Sequence, residues 1–466
     1  MTILSDATNL DVFNAHYSFS EEGMGVLDVL RNQGVLPRRG IFVRILAFFW
    51  RWGCSCFKRK ENHNRDAAKN GIMAPYFSNN QYVAVQPVVE HLDGAFLVRV
   101  GDDPALSFDS FRCRLISLFF LFYAIQDLCR ATPYQRIMMS YYFDEYWNSY
   151  GYYVLCRLYL RTYKPRALLV SNDHSLRIRT VVLAARDASV PTVYIQHAAI
   201  SNTLPPLMFD YAFLEGSNSL KQCLKNGETN TEIYVSGIPR MDFTAKNSRT
   251  RKTIERLGVA VSFFDDLLTA KELCQRLKSR FLDKRLILRP HPGLGQHFDN
   301  LRTFCCDLGI EFSDPEKESA TDYLCRLDVL IAGESNIHLE ATLQNILSLY
   351  FPLGGERRDH YGFLDSKMVH ECKTVDQVVA QIDQAEGAYP NVRSRAQGFC
   401  ATVNTRWDGH STELIAETLT NIFFKENDKR DLEKQWVGSA ECHHAYEPRN
   451  GRIGGTVHIK HDVKRA

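Results

Sequence analysis

From residue 164 onward, short apolar runs alternate with amphipathic segments. The run ALLV in KPRALLVSND ends in polar residues, which indicates a buried strand followed by a turn. The next segment, SLRIRTVVLAARDA, repeats apolar residues at helical spacing, and VPTVYIQHAA, DYAFLEG and TEIYVSGIP predict further strands. Strands that alternate with helices are typical of parallel βαβ units. This part of the chain therefore predicts a Rossmann-like sheet.

A second series of the same kind begins near residue 259. The strands it predicts are VAVSFF, RLILRPHP, GIEFSD, DVLIAGES and ILSLYFP. Between them the spacing of apolar residues predicts helices over 266–281, 296–308, 318–327 and 335–345, and further helices over 374–386, 391–404 and 410–424. The pattern indicates a second doubly wound domain.

The predicted fold class is therefore α/β, with two Rossmann-like doubly wound domains that face a cleft and a helical region before them. A chain of 466 residues is too long for a single core. We predict a helical, aromatic-rich part of the first domain over 1–160, the first Rossmann-like domain over 161–245, the second over 246–424, and a polar, mobile tail over 425–466.

Charge and cysteine content narrow the classes of function. The net charge is +2 and no nucleic-acid-binding signature occurs, so we predict no nucleic-acid partner. The 13 cysteines are scattered without a CxxC pair, which is typical of reduced thiols in a cytosolic protein. The amino terminus lacks a basic segment followed by an apolar core. The predicted location is the cytoplasm.

Two basic and aromatic stretches favour contact with a membrane surface. The first, residues 40–60, places aromatic side chains among Arg44, Arg51 and Lys58–Lys60, and the second, residues 111–130, has arginines at both ends. Such helices lie in a bilayer interface, but they also occur as core helices whose long basic side chains reach solvent. The longest apolar run, 115–125, is too short to span a bilayer. Peripheral contact with the inner face of the cell membrane is thus one of two interpretations.

In the second domain, two motifs stand where strands end. In RPHP (289–292) the prolines around His291 exclude a helix, so Arg289 and His291 project from a stiff turn. In GESNIHLEA (333–341) Ser335 and Asn336 stand at the start of a predicted helix, where exposed amides attract phosphate. Glu340 has the two acceptor oxygens that ribose hydroxyls need. We predict that these five residues bind a nucleotide, with Arg289 and His291 neutralising charge on the leaving phosphate.

In the first domain, SNDH (171–174) and QHAA (196–199) end neighbouring predicted strands. Asp173 and His197 are candidate catalytic residues, because either type of side chain serves as a general base within hydrogen-bond reach of a hydroxyl. Each candidate has a structural alternative. Asp173 would cap a helix that begins at Ser175, His197 would be a core histidine, and Ser335 would be a helix cap only.

The set of motifs resembles a known group of enzymes. YVSGIPRMD (234–242), followed by RPHP and GESNIHLEA, is similar to bacterial GT-B glycosyltransferases of capsule and surface polysaccharide biosynthesis, and more distantly to CDP-glycerol glycerophosphotransferases and sialyltransferases. The resemblance, over roughly 164–352, places His197 on the first-domain histidine, Arg289 and His291 on the nucleotide-phosphate turn, Ser335 on the phosphate-contacting serine and Glu340 on the ribose-side carboxylate. Sialyltransferase-like relatives use an aspartate as base, which keeps Asp173 a candidate.

The resemblance implies transfer of a sugar from a CMP-, CDP- or UDP-linked donor to a surface glycan or lipid-linked glycan. No DxD triplet occurs, so we predict neither a metal nor another cofactor. Ala198 stands where the family has glycine, and GESN replaces an aspartate-and-serine run. Three alternatives remain: a polyol-phosphate transferase of teichoic-acid type, a non-hydrolysing sugar-nucleotide 2-epimerase, and a non-catalytic scaffold that binds glycan or nucleotide.

Overall fold

The computed structural model describes residues 40–55, 71–99, 110–198, 204–246, 253–263, 265–354 and 361–424, with single residues at 28, 200, 248 and 359. The predicted tail over 425–466 and Lys58–Lys60 lie outside the described residues. The chain forms two compact units, one from residues 1–240 and 412–466 and the other from residues 241–411.

The first unit contains a parallel sheet of six strands. They are β1 (Ile72–Tyr76), β2 (Ala95–Arg99), β3 (Ala167–Val170), β4 (Thr192–Ile195), β5 (Tyr211–Leu214) and β6 (Glu232–Val235), in the order β2-β1-β3-β4-β5-β6. The apolar runs predicted β3 to β6. The pattern did not reveal β1 and β2, which lie among the helices of the N-terminal region. Pro75 is the fourth of the five residues of β1, an interior strand, where proline is uncommon.

Among the described residues before residue 241, seven helices belong to this unit: α1 (Ile41–Ser55), α2 (Asn79–Glu90), α3 (Ser110–Leu118), α4 (Leu121–Arg130), α5 (Pro133–Tyr163), α6 (Leu176–Asp187) and α7 (Ser217–Asn226). The long helix α5 starts with a capping box, in which Thr132 and Gln135 bond each other's backbone N–H groups.

Helices α1 and α3 pack on α5. The ring of Trp147 stacks on Phe48 of α1 at 3.8 Å, and its Nε1 donates to the carbonyl of Ser117 in α3 at 2.6 Å. Gly151 permits the approach of α3, since a Cβ there would stand 1.8 Å from the carbonyl oxygen of Cys113. These contacts bury the aromatic residues that made this region difficult to assign from sequence.

The second unit contains another parallel sheet of six strands. They are β7 (Arg256–Val261), β8 (Arg285–Pro290), β9 (Glu311–Phe312), β10 (Val329–Ala332), β11 (Leu347–Tyr350) and β12 (His370–Glu371), in the order β12-β11-β10-β7-β8-β9. Its helices are α8 (Asp242–Lys246), α9 (Leu267–Arg280), α10 (Phe298–Asp307), α11 (Ala320–Cys325), α12 (Ile337–Leu343) and α13 (Val375–Gly387). Both sheets and their helices confirm the predicted α/β class.

One predicted helix is wrong. Residues 391–404 form a 3₁₀ segment, Arg393–Gly398, followed by turns. The guanidinium of Arg393 donates to both carboxylate oxygens of Asp408 and to the carbonyl of Leu343 at 2.9 Å. These tertiary bonds stabilise a compact turn over a sequence whose apolar spacing would also suit a helix.

The last helix, α14 (Ser411–Phe423), returns to the first unit from Thr412 onward. The ring of Phe423 meets Tyr211 of β5 edge to face at 5.6 Å. Arg166, just before β3, donates to the carbonyl of Phe423 at 2.7 Å and lies over the ring of Phe424. In the part of the chain that the structure describes, no helix combines the length and apolar character needed to cross a bilayer.

Candidate functional site

In the first unit, Asp173 and His174 follow β3 in a short turn. The Nδ1 atom of His174 lies 2.9 Å from Oδ1 of Asp173. The side chain of Asp173 does not cap the next helix, whose N-cap residue is Ser175. The turn is held instead by Asn172, whose Oδ1 accepts from the backbone N–H groups of Ser175 at 2.7 Å and His174 at 3.2 Å. The structure therefore leaves the Asp173 carboxylate available to its histidine neighbour.

Three titratable side chains, Asp173, His174 and His197, lie at the carboxyl ends of β3 and β4. Burial disfavours the charged form of Asp173, but the hydrogen bond from His174 and the charges of His174 and His197 outweigh it and lower the pKa of Asp173. Burial also lowers the pKa of His197 to about 4, against the opposing effect of Asp173. The imidazole rings of His174 and His197 lie 6.1 Å apart and nearly parallel. The structure thus brings Asp173 and His197 together.

His197 keeps one unsatisfied atom. Its Nδ1 is buried and has no hydrogen-bond partner among the described residues. A buried polar atom without a partner is uncommon in native structures and is often satisfied by a ligand or water. His197 is therefore not the fully satisfied core histidine of the structural alternative.

A second polar cluster lies at the ends of β4 and β5. Gln196 accepts from the backbone N–H of Glu215 at 2.9 Å and donates to its Oε2 at 3.1 Å. Glu215 in turn receives a hydrogen bond of 2.7 Å from Arg240, the arginine of the GIPRMD segment. Burial raises the pKa of Glu215 in spite of Arg240. This buried pair fixes the segment that follows β6 against the sheet.

In the second unit, His291 stands at the tip of the RPHP turn. The ring atom Nδ1 accepts from the backbone N–H of Gly293 at 3.0 Å. The backbone N–H of His291 donates to the carbonyl of Val261 in β7 at 2.8 Å. Because Nδ1 is an acceptor, the neutral ring carries its proton on Nε2. That Nε2–H group has no partner among the described residues. The turn therefore presents a fixed donor at an exposed position.

Arg289 occupies a different environment from His291. Its side chain is buried, donates to Ser313 Oγ at 2.7 Å and to the carbonyl of Glu318 at 2.8 Å, and lies over the ring of Tyr323. Burial lowers the pKa of Arg289. The guanidinium thus joins the ends of β8 and β9 inside the unit, beneath the turn that carries His291.

The turn after β10 is held close to the turn after β7. A Cβ on Gly333 would stand 2.6 Å from Oδ1 of Asp265, whose other oxygen accepts from the backbone N–H of Ser262. A side chain at position 333 would therefore displace the Asp265 carboxylate from this bond. Ser335 Oγ accepts a long hydrogen bond of 3.4 Å from the backbone N–H of Ile337. Asn336 is the N-cap residue of helix α12. The Oδ1 atom of Asn336 is buried without a partner among the described residues.

The helix after this turn carries one residue that sequence reasoning overlooked. His338 is buried, with Nδ1 2.7 Å from Ser348 Oγ and Nε2 2.9 Å from the carbonyl of Gly333. Burial lowers the pKa of His338 to about 4. Glu340, on the same helix, lies near enough to Arg289 to oppose the fall in its pKa. The RPHP turn follows β8 and the GESN turn follows β10, and β7 lies between these two strands. The two motifs of the second unit therefore lie at the same edge of its sheet.

Sequence reasoning also missed His174, Glu215 and Arg240 as partners in the first unit. The signal for His174 was present, since an aspartate and a histidine stand side by side at a strand end in SNDH. No sequence spacing pairs Glu215 with Arg240, because the contact depends on the order of β5 and β6 in the sheet. Within the described residues, no three His, Cys, Asp or Glu side chains form a group that would hold a metal ion.

The architecture is similar to that of solved enzymes. A protein from Listeria monocytogenes assigned as a UDP-N-acetylglucosamine 2-epimerase superposes with a TM-score of 0.51 and 12% identity over 78% of this chain and 98% of that chain. UDP-GlcNAc 2-epimerase from Neisseria meningitidis bound to UDP-GlcNAc gives a TM-score of 0.50 and 11% identity over 75% and 100% of the two chains. This chain has the GT-B fold.

That fold was implied by the resemblance of the motifs, and it is confirmed. The wall teichoic acid polymerase TagF is more distant, with a TM-score of 0.46 and 10% identity over 84% of this chain and 99% of that chain. No protein-family model matches the chain, and no curated protein matches it in sequence. At identities this low, the similarities establish the fold alone.

Proposed function

We propose that this protein is a metal-independent glycosyltransferase that transfers a sugar from a nucleotide donor to a surface glycan. The second unit would bind the donor, linked to CMP, CDP or UDP, and the first unit would bind the acceptor. One observation carries the proposal: the Nε2–H donor of His291 and the buried Oδ1 acceptor of Asn336 are both unpartnered among the described residues and stand at the same sheet edge. A nucleotide offers phosphate oxygens to the first and N–H or O–H groups to the second.

In the donor half, His291 is the residue that contacts the leaving phosphate. As the bond between the sugar carbon and the phosphate oxygen breaks, its electron pair stays on that oxygen, and the Nε2–H group stabilises the charge. Ser335 and Asn336 bind the phosphate and nucleoside from the turn, and Glu340 binds the ribose hydroxyls. Arg289 is a positioning residue, because its hydrogen bonds hold the turn below His291.

In the acceptor half, the acceptor hydroxyl loses its proton while its oxygen bonds to the sugar carbon. Among the candidate bases, the pKa of Asp173 and that of His197 are both lowered, which weakens each as a proton acceptor near pH 7. His174 is more exposed, at 28% of its side chain against 7% for Asp173. We assign the proton to Nε2 of His174, with Asp173 orienting the ring and stabilising the imidazolium.

The protein would act in the cytoplasm on the inner face of the cell membrane. In α1, the arginines face α5: Arg51 donates to Asp144 and Glu145 at 2.7 and 2.6 Å. The opposite face exposes Phe42, Val43, Leu46, Phe49 and Trp50. This apolar face supports a peripheral contact that depends on aromatic insertion more than on Arg44 or Arg51.

The decisive experiment is calorimetric titration of the full chain with CMP, CDP, UDP and GDP, each with and without EDTA. We expect one pyrimidine nucleotide to bind, with unchanged affinity after chelation. Incubation of the matching sugar donor with glycan acceptor should then release nucleotide and lengthen the glycan. Formation of a sugar epimer, without transfer, would favour the 2-epimerase alternative. Transfer of a polyol phosphate would favour the teichoic-acid type, and nucleotide binding without turnover would favour a scaffold.

A further inference from the structure

The first unit contains a pocket of about 370 Å³ between α1, α2, α5 and the start of α6. Much of its wall is apolar, and Phe77, Met138 and Leu176 are among the lining residues. Small-ligand sites have volumes of about 300–1,000 Å³ and combine an apolar wall with a few fixed polar groups. The polar groups of the wall therefore decide which ligand this pocket would take.

The charged side chains of the wall are bonded to carboxylates of the same region. Arg51 donates to Oε1 of Glu145 at 2.6 Å, and Arg177 donates to Oε2 of Glu145 at 2.7 Å. Arg44 lies 3.7 Å from Asp144. An ionic ligand would have to displace arginine–carboxylate pairs that are already formed, and breaking such pairs is costly. The wall therefore favours a ligand without net charge.

Gln81 presents an unpartnered donor to this pocket. Its Oε1 accepts from the backbone N–H of Phe77 at 2.8 Å, which fixes the orientation of the amide. The Nε2 group at the other end has no hydrogen-bond partner among the described residues, although Gln81 is only 6% exposed and lines the pocket. A buried N–H group costs free energy unless a ligand or a water accepts from it. Gln81 therefore offers the pocket two oriented N–H donors.

Ser175 offers the pocket a hydroxyl. It is the N-cap residue of α6, where serine usually accepts from a backbone N–H of the first turn, but its side chain makes no cap hydrogen bond. The Oγ atom has no partner among the described residues, and Ser175 lines the pocket. A hydroxyl both donates and accepts. The hydrogen-bonding groups that the pocket leaves open are thus neutral and suit uncharged oxygens.

We propose that this pocket binds a neutral sugar ring of the acceptor glycan. Gln81 and Ser175 bond its oxygens. Its C–H face lies on Phe77 and Met138, since a sugar ring carries an apolar face as well as uncharged oxygens. The inference rests on the proposed function, because it places one unit of that reaction's acceptor. Ser175 directly follows His174, so a ring held there brings its neighbouring hydroxyls close to the residue assigned as base.

The test is saturation-transfer NMR on the full chain without nucleotide, with the neutral methyl glycosides of glucose, galactose, mannose, rhamnose and N-acetylglucosamine. We expect at least one glycoside to bind saturably, with the strongest transfer to its ring C–H groups. Methyl phosphate and hexanol represent an anion and an apolar chain without a sugar ring. Each should bind more weakly than the best glycoside.

Two variants remove the open hydrogen-bonding groups. Gln81→Met should weaken the best glycoside at least about fivefold and Ser175→Ala about threefold, as expected for loss of two and of one neutral hydrogen bond. Ser175→Ala should keep the parent's melting temperature, because the hydroxyl caps nothing. Gln377→Met is the matched control for the first variant and should bind the glycoside like the parent. Gln377 also accepts from a backbone N–H four residues earlier, that of Lys373 at 2.6 Å, but it is exposed in the other unit.

Three results would overturn the subsite. The first is absence of saturable binding by all five glycosides. The second is parent-like binding by folded Gln81→Met and Ser175→Ala proteins. The third is tighter binding of methyl phosphate or hexanol than of any glycoside, which would identify an anion or lipid pocket instead.

The outcome is separable from that of the proposed function, because these titrations need neither nucleotide nor turnover. Glycoside binding without nucleotide binding would defeat the proposed transfer and leave the subsite standing. Nucleotide binding and transfer without glycoside binding would defeat the subsite alone.

Discussion

His174 Nδ1 lies 2.9 Å from Oδ1 of Asp173, the residue immediately before it. The pair is possible because Asn172 holds the turn through the backbone N–H of Ser175, and the Asp173 side chain does not cap helix α6. A carboxylate that accepts from Nδ1–H fixes the imidazole tautomer and leaves Nε2 as the basic nitrogen. In the free protein that atom is 3.3 Å from the side-chain nitrogen of Asn172, a weak contact that an acceptor hydroxyl would replace.

This arrangement predicts how three variants will differ. His174→Gln should abolish turnover and leave nucleotide affinity unchanged, because the base acts on the acceptor. Asp173→Asn should lower turnover strongly, since the histidine loses the carboxylate that orients its ring. His197→Ala should have a smaller effect than either. Normal turnover by His174→Gln would show that His174 is not the base. The base would then be Asp173 or His197, whichever gives a folded but inactive variant.

His291 is predicted to act on the leaving phosphate. His291→Ala should reduce turnover about 10²–10³-fold, as expected for loss of one donor to developing charge. It should also weaken nucleotide binding, because part of the contact exists before the reaction. His297→Ala is the control, since His297 ends the same 3₁₀ segment and is a half-buried histidine outside the turn. Calorimetry and initial rates give both readouts. Parent-like values for His291→Ala would remove the residue from the donor site.

The exposed face of α1 predicts a salt-resistant component of membrane binding. Phe42 and Trp50 are 72% and 75% exposed, and both lie opposite the arginines that contact α5. Phe42→Ser with Trp50→Ser should abolish flotation with liposomes, because interfacial binding scales with the apolar area inserted. Leu282→Ser, which removes an equally exposed apolar side chain from the second unit, should float like the parent. Equal flotation of both variants would exclude this face.

Acid should destabilise the fold through His338. Burial lowers its pKa to about 4 in the folded protein, against about 6.5 in an unfolded chain. The unfolded state then binds more protons, so the contribution of His338 to stability is complete above about pH 6.5 and is lost as the pH falls towards 4. Between pH 7 and 4.5, the free energy of unfolding of His338→Gln should fall by about 2 kcal/mol less than that of the parent.

Urea unfolding at a series of pH values measures this difference. His197, whose pKa burial also lowers to about 4, remains in the variant and keeps part of the acid dependence. His297→Gln, a substitution at a half-buried histidine, should follow the parent curve. If the free energy of unfolding of His338→Gln falls with decreasing pH as steeply as that of the parent, protonation of His338 does not destabilise the fold.

How much the sequence predicted depended on the kind of element. The sequence predicted strands β3 to β11 because each is a short apolar run bounded by polar or turn residues, and buried parallel strands have that form. Residues 111–130 read as one basic, aromatic stretch, yet the chain breaks there into α3 and α4. Pro75 makes β1 difficult to predict, since proline is uncommon in an interior strand. These differences arise where tertiary packing overrides local preference.

The sequence by itself determined which side chains stand at strand ends, because a strand ends where its apolar run ends. It therefore located Asp173, His197, His291 and Ser335 without any structure. Only the tertiary structure decided what each side chain contacts. It turned Arg289 inward to Ser313, paired Asp173 with His174, and set Arg44 and Arg51 against α5. The physical reason is that strand order and helix packing bring together residues that are far apart in the chain. The local spacing of apolar and polar residues in the sequence predicts neither of them.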